Sequence, residues 1–286
     1  MVAGLGVAAA ANIDELRDAD LDIGPWWWVA AAPFTAAASV VLPLAWHRAV
    51  AGLGGRLESR RAVEIWWVSQ AARFVVTMVG SAAGRVALAA REGVAVEVAA
   101  AAQVVELVLL VGWTTLLGAL PGRDLPVPGA VRWALLAVAA AGLVALPWSA
   151  AAGLRLVGRF RPGVEARQVD RPALIGASLL YGLNAVLRSA AFVLVAAGLL
   201  PVDAGDAVPL VAGWNLAAVA GIVGITPAGI GVREGVMVGL LERRFGLGGA
   251  AALAAAWRAW ELAFELASVA TVTVLGRRRR RQSSTT

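Results

Sequence analysis

Residues 221–235 read Gly-Ile-Val-Gly-Ile-Thr-Pro-Ala-Gly-Ile-Gly-Val-Arg-Glu-Gly, a stretch broken by glycine and proline that ends on an Arg-Glu pair inside an apolar sequence. In hydrocarbon an unpaired backbone group costs several kcal/mol. A helix break at membrane depth therefore persists only where protein or a water-filled cavity receives the freed N–H and C=O groups. Such a break beside a charge predicts that something is held there.

The surrounding chain has the composition this reading needs. Over 286 residues, 60% are hydrophobic, 15% are charged and the mean hydropathy is +0.76. Several apolar runs reach the roughly twenty residues that a helix needs to cross a bilayer core, so the expected class is all-α, a polytopic helical membrane protein. The net charge of +6 does not signal nucleic acid, because the arginines fall mainly in three blocks between or after apolar runs. No nucleic-acid partner is expected. With no cysteine and one histidine, disulfides, thiol catalysis and His/Cys metal sites are excluded, and no cofactor or metal is expected. The first residues lack the basic start of a cleavable signal peptide.

Long apolar runs cover about 26–46, 95–119, 133–150, 172–200 and 249–275, and two further runs, 63–90 and 209–241, are interrupted. Trp26, Trp27, Trp28, Trp46, Trp113, Trp133 and Trp148 lie near run ends, where tryptophan anchors a helix at the membrane interface. Basic residues concentrate at 47–61, at 151–171 and in the tail Arg277–Arg281. The positive-inside rule makes these three segments cytoplasmic, and puts Asp14–Asp22, Asp203 and Asp206 outside. Counting crossings then makes 63–90 re-entrant from the cytoplasmic side and 209–241 re-entrant from the outside. This assignment leaves Arg243 and Arg244 outside, against the rule. The stripe Gln70, Arg73, Thr77, Ser81 and Arg85 also suits a continuous spanning helix.

The order span, hairpin, span then occurs twice with opposite direction, within a single domain over 1–286. The first half is about 13–120, the second about 130–275, and 276–286 is a basic cytoplasmic tail. Val79-Gly80 followed by Gly84-Arg85 faces Val223-Gly224 followed by Gly231-Val232-Arg233, and Gly93-Val94 leading to Glu106 faces Gly246-Leu247 leading to Glu261. Inverted repeats with paired broken helices point to an alternating-access transporter whose site lies near the midplane. A counterpart of 133–150 is expected before residue 26, where Met1–Ala11 is apolar but too short to cross.

Ionisable residues at depth cost about 2.5 kcal/mol or more each, and mark a pathway or an internal pair. Arg258, Glu261 and Glu265 fall on one helix face, with Glu261 about mid-span. Glu106, one turn after Gln103, lies at similar depth, and Tyr181, Asn184 and Arg188 form a third stripe. Arg258 with Glu261 fits an internal salt bridge or a ligand contact, and so does Glu106 with one of the arginines. At Arg233, the helix starting near Val232 adds its free N–H groups and dipole to the guanidinium, a combination that favours an anion. The alternative is a cap pairing with Glu234.

Thr226-Pro227-Ala228-Gly229-Ile230-Gly231-Val232-Arg233-Glu234-Gly235 resembles the Pro-Gly-Gly-Leu-Gly-Val-Arg-Glu signature of the flippase-like membrane region of lysylphosphatidylglycerol synthases and their stand-alone relatives. Ala72-Arg73-Phe74, Gly84-Arg85 through Arg91-Glu92-Gly93-Val94 to Glu106, and Trp257-Arg258 are similar to other landmarks of that family, over about residues 13–275. Val75-Val76-Thr77 stands where the family has Pro-Gly, and Ala228 replaces its second Gly. The resemblance implies movement of an anionic phospholipid or lipid-linked head group between leaflets of the cytoplasmic membrane. Taken with the charges at depth, the candidate substrate-binding residues are Arg233, Glu234, Arg73, Arg85, Arg258, Glu261, Glu106 and Arg188, around a hairpin break at Pro227, Gly229 and Gly231. The expected partners are a membrane lipid and a possible separate synthase. The chain stops at Thr286 after its basic tail, so no aminoacyl-transferase domain and no enzyme activity are expected. The alternatives are an integral-membrane enzyme acting on lipid-linked sugars, or an accessory scaffold for a separate synthase.

Overall fold

A computed structural model describes residues 24–72, 78–120, 127–160, 169–224, 229 and 231–283. Among these the regular elements are all helical. They are α1 (Pro25–Gly52), α2 (Ser59–Ala72), α3 (Met78–Arg91), α4 (Val96–Ala119), α5 (Gly129–Phe160), α6 (Arg171–Ala197), a 3₁₀ turn (Ala204–Asp206), α7 (Ala207–Val223) and α8 (Val232–Ser283). Helix α8 kinks at Gly246, whose φ of 70° lies outside the helical region.

Five of these helical stretches are long and apolar enough to cross a membrane: α1, α4, Gly129–Ala150 of α5, α6, and Ala204–Val223, which includes α7. They leave large apolar side chains such as Leu107, Val138, Val144 and Leu179 on the outside of the protein. Large apolar side chains exposed along helices are a liability in water, but in a bilayer they face a solvent of their own polarity. The chain is a helical membrane protein. Four of the expected crossings coincide with α1, α4, α5 and α6. The fifth, 249–275, lies in α8 beyond the kink and carries Arg258, Glu261 and Glu265. Conversely, the arm before the break in 209–241 is already of span length, because the apolar run begins at the 3₁₀ turn.

The chain packs as two compact units. One comprises the residues through Ala36, Thr114–Ala137 and Ala185–Ala263; the other comprises Ala37–Trp113, Val138–Asn184 and the residues from Phe264. They are called here the α7 unit and the α2 unit, after the short helix each contains. In the α2 unit Trp46, Leu53, Leu109, Leu174 and Tyr181 are fully buried, and in the α7 unit Phe192, Leu210, Met237, Leu241, Leu253 and Trp257 are. Lipid removes most of the hydrophobic drive between helices, so close fit has to hold them together. At Gly182 an added Cβ would lie 2.9 Å from the Trp113 ring, and at Gly213 it would lie 2.8 Å from Leu241.

Several tryptophans are internal rather than interfacial. Trp26, Trp27, Trp133 and Trp148 are exposed as expected, but Trp46 is completely buried. Trp28 Nε1 donates to the Gly198 carbonyl, and Trp113 Nε1 donates to Ser178 Oγ. Position near a run end does not say which face a ring occupies, and these three face protein.

Each unit contains an antiparallel helix pair closed by an ion pair. In the α2 unit, Arg61 at the start of α2 pairs with Glu92 just past α3, and Arg85 Nε donates to Ser69 Oγ at 3.0 Å. In one uninterrupted helix residues 61 and 92, which are 31 apart, would be separated by about 46 Å. Gln70 and Arg85, read as one helical stripe, instead meet across the pair at 3.1 Å. Arg61 also bonds Glu64 at 2.5 Å, and its bonds to Glu92 and then Glu64 raise its pKa above the ordinary arginine value. In the α7 unit, Arg244 near the end of the first arm of α8 pairs with Asp206 at the start of α7 and lies 3.7 Å from Asp203. The arginine that seemed misplaced by the charge rule is thus neutralised by the acidic turn beside it.

Because the sequence has no cysteine, the α2–α3 pairing has a clean test. A chain carrying Arg61→Cys and Glu92→Cys is expected to form an intramolecular cross-link with a short bis-thiol reagent, read by peptide mass spectrometry. A continuous helix over 63–90 would leave both positions unlinked.

Candidate functional site

The break that opened the sequence reading has the geometry expected of it. Helix α7 ends at Val223, where Gly224 turns to φ −62°, ψ 144° while its N–H bonds the Ala220 carbonyl. Gly229 and Gly231 adopt φ of 67° and 84°, the left-handed region that side chains strongly disfavour. Helix α8 restarts at Val232, as predicted. Pro227 lies outside the described residues, as does Arg73. An added Cβ at Gly229 would stand 2.8 Å from the Gly221 carbonyl oxygen, and one at Gly221 would stand 3.0 Å from Arg233 Cβ. Bare backbone on both sides is what allows the returning chain to run against the end of α7 beside Arg233.

Arg233 does not stand alone at this helix start. Its Nη2 donates to Glu261 Oε2 at 2.5 Å, and Glu261 Oε1 accepts from Arg188 Nη1 at 3.2 Å. Glu234 Oε2 accepts the Gly231 N–H at 2.8 Å, while Oε1 lies 3.7 Å from Arg233 and 3.9 Å from Arg258. The carboxylate of Glu234 therefore fills the role at the helix N-terminus that the sequence offered to a ligand, in the manner of a capping-box residue reaching back. Glu261 draws hydrogen bonds from Arg188 and Arg233, rather than from Arg258 one turn before it. All five side chains belong to the α7 unit and are mostly buried, the three arginines at 11–14% exposure. Three arginines against two glutamates leave these five a formal charge of +1.

A second buried pair occupies the α2 unit. Arg85 Nη1 bonds Glu106 Oε2, its Nη2 bonds Gln70 Oε1, and its Nε bonds Ser69. The guanidinium carbon lies 5.7 Å from the Trp46 ring centre and 4.9 Å from that of Trp66, within range of a cation–π attraction. Trp66 Nε1 reaches Glu106 Oε1 at 3.4 Å. Arg85 is 3% exposed and Glu106 9%.

The chain matches no protein-family model, no curated protein and no solved structure. Its likeness to the lysylphosphatidylglycerol synthase membrane region rests on the motif residues alone.

The structure thus brings Arg188, Arg233, Glu234, Arg258 and Glu261 together in one unit, and Arg85 with Glu106 in the other. Ser69, Trp46 and Trp66, which complete the surroundings of Arg85, were missed. Serine and tryptophan in an apolar run carry no signal for a long-range partner. Only Gln70 belonged to a recognised polar stripe.

Removing one member of a buried ion pair leaves the other uncompensated, at a cost of about 3–5 kcal/mol. Glu261→Ala, which strips the carboxylate from both Arg188 and Arg233, is expected to lower the thermal midpoint in detergent sharply. Glu242→Ala, on an exposed position of the same helix, is expected to stay within about 0.5 kcal/mol of the parent.

Proposed function

We propose that this protein is a flippase-type transporter of the cytoplasmic membrane, moving an anionic phospholipid or lipid-linked head group between leaflets. The observation that carries the reading is the Arg188–Arg233–Arg258 cluster, which keeps a formal charge of +1 with its two glutamates beside a broken helix. Charge inside a membrane protein is expensive and is retained where it lines a pathway or a site. An excess of guanidinium groups with residual exposure suits a phosphodiester, which arginine binds through paired N–H donors.

The two helix pairs support an inverted-repeat reading. In each, an arginine on the second helix pairs with a glutamate on the next helical segment, Arg85 with Glu106 and Arg233 with Glu261. In each, a glycine with positive φ separates the two, Gly93 at 84° and Gly246 at 70°. Ion pairs also close each pair at its open end, Arg61 with Glu92 and Arg244 with Asp206. The arginine-rich first loop and the C-terminal tail are cytoplasmic by the positive-inside rule. On this reading both pairs are re-entrant hairpins, and neither chemistry nor a cofactor is required of the chain.

Reconstitution tests the proposal. Vesicles containing the protein are expected to expose tail-labelled phosphatidylglycerol to an external quencher faster than protein-free vesicles. Arg233→Gln with Glu261→Gln removes one charge of each sign, keeps the formal charge of the cluster at +1 and leaves Arg188 a neutral amide in place of its carboxylate partner. It is expected to slow exposure by about tenfold or more, the loss of one charge-assisted hydrogen bond of about 1.5–3 kcal/mol. Equal rates for the parent and the double variant would refute a role for the pair in transport.

A further inference from the structure

The surroundings of the two buried arginine sites differ in a way that assigns them different work. Arg85 has a partner on each guanidinium nitrogen, namely Ser69 on Nε, Glu106 on Nη1 and Gln70 on Nη2. Two indole rings lie within 6 Å of its central carbon, and 3% of its side chain is exposed. A phosphate oxygen needs an N–H within about 3 Å and a path to it. At Arg85 each of the three nitrogens already has a protein partner, and the pair it forms with Glu106 carries no net charge. Ser69 and Gln70 lie on α2, Arg85 on α3 and Glu106 on α4, so the guanidinium joins three consecutive helices. The α7-unit arginines keep 11–14% exposure, and with Glu234 and Glu261 they carry a formal charge of +1.

We infer that Arg85 is a positioning residue that pins the first hairpin to α4, and that contact with an anionic head group belongs to the Arg188–Arg233–Arg258 cluster alone. The repeat is then functionally asymmetric, one copy having become a fixed strut while the other keeps the site. The absence of Pro-Gly from Val75-Val76-Thr77 in the first copy accords with this, since a strut gains nothing from a sharply broken backbone. The inference rests on the transporter reading and narrows it to one of two clusters.

Equilibrium binding of tail-labelled phosphatidylglycerol and phosphatidylcholine to the purified full chain in detergent tests it, with thermal midpoints measured alongside. Arg188→Gln is expected to weaken phosphatidylglycerol binding by tenfold or more and to erase its preference over phosphatidylcholine. Arg85→Gln with Glu106→Gln is expected to lower the thermal midpoint while leaving Kd and head-group preference within twofold of the parent. Should that double variant fail to fold, Gln70→Leu withdraws one guanidinium partner without changing any charge, and the same outcome is expected of it. A parent that binds selectively, with Arg85→Gln/Glu106→Gln or Gln70→Leu shifting head-group preference as Arg188→Gln does, would overturn the asymmetry and leave the transporter reading intact. A parent with no preference for the anionic lipid would overturn both.

Discussion

A carboxylate held inside a membrane protein must find cations within reach, and Glu261 finds two. Arg188 comes from α6 and Arg233 from the first arm of α8, while Glu261 itself lies beyond the kink at Gly246. One side chain thus ties together three helical segments that lipid alone would not hold in register. Remove that carboxylate and two guanidinium groups are left buried. The same constraint sets the local backbone, since Arg233 reaches Glu261 from a helix start that the glycines at 229 and 231 permit.

The α2 unit solves the same electrostatic problem differently. Arg85 and Glu106 neutralise each other, and Ser69 and Gln70 bond the other two guanidinium nitrogens under two tryptophan rings. A closed pair of this kind gives shape and stability. A cluster with more arginines than glutamates and some residual exposure retains the means to bind an anion. That contrast gives the transporter proposal a definite location within the chain.

Much of this was legible in the sequence because hydrocarbon imposes strong rules. The apolar runs at 26–46, 95–119, 133–150 and 172–200 became α1, α4, α5 and α6, since span length is fixed by bilayer thickness. The restart at Val232 followed from glycine and proline placement. Glu106 was legible as a partner for one of the arginines, and Arg85 is the one it meets. Which glutamate takes which arginine was not legible. The spacing of Arg258 and Glu261 suggests a local pair, yet Arg188, 73 residues away, supplies one of the bonds. Periodicity reports which residues share a face of one helix, not which helix comes to meet that face. Trp46 shows the same limit, lying at a run end yet fully buried.

The most direct test of the central claim is a density map of the protein in nanodiscs made with phosphatidylglycerol. The account predicts a head-group phosphate within hydrogen-bond distance of Arg188, Arg233 or Arg258, with Arg85 bonded only to protein. A map in which lipid lies only along the outer apolar surface, with the three arginines satisfied by Glu234 and Glu261 alone, would contradict it.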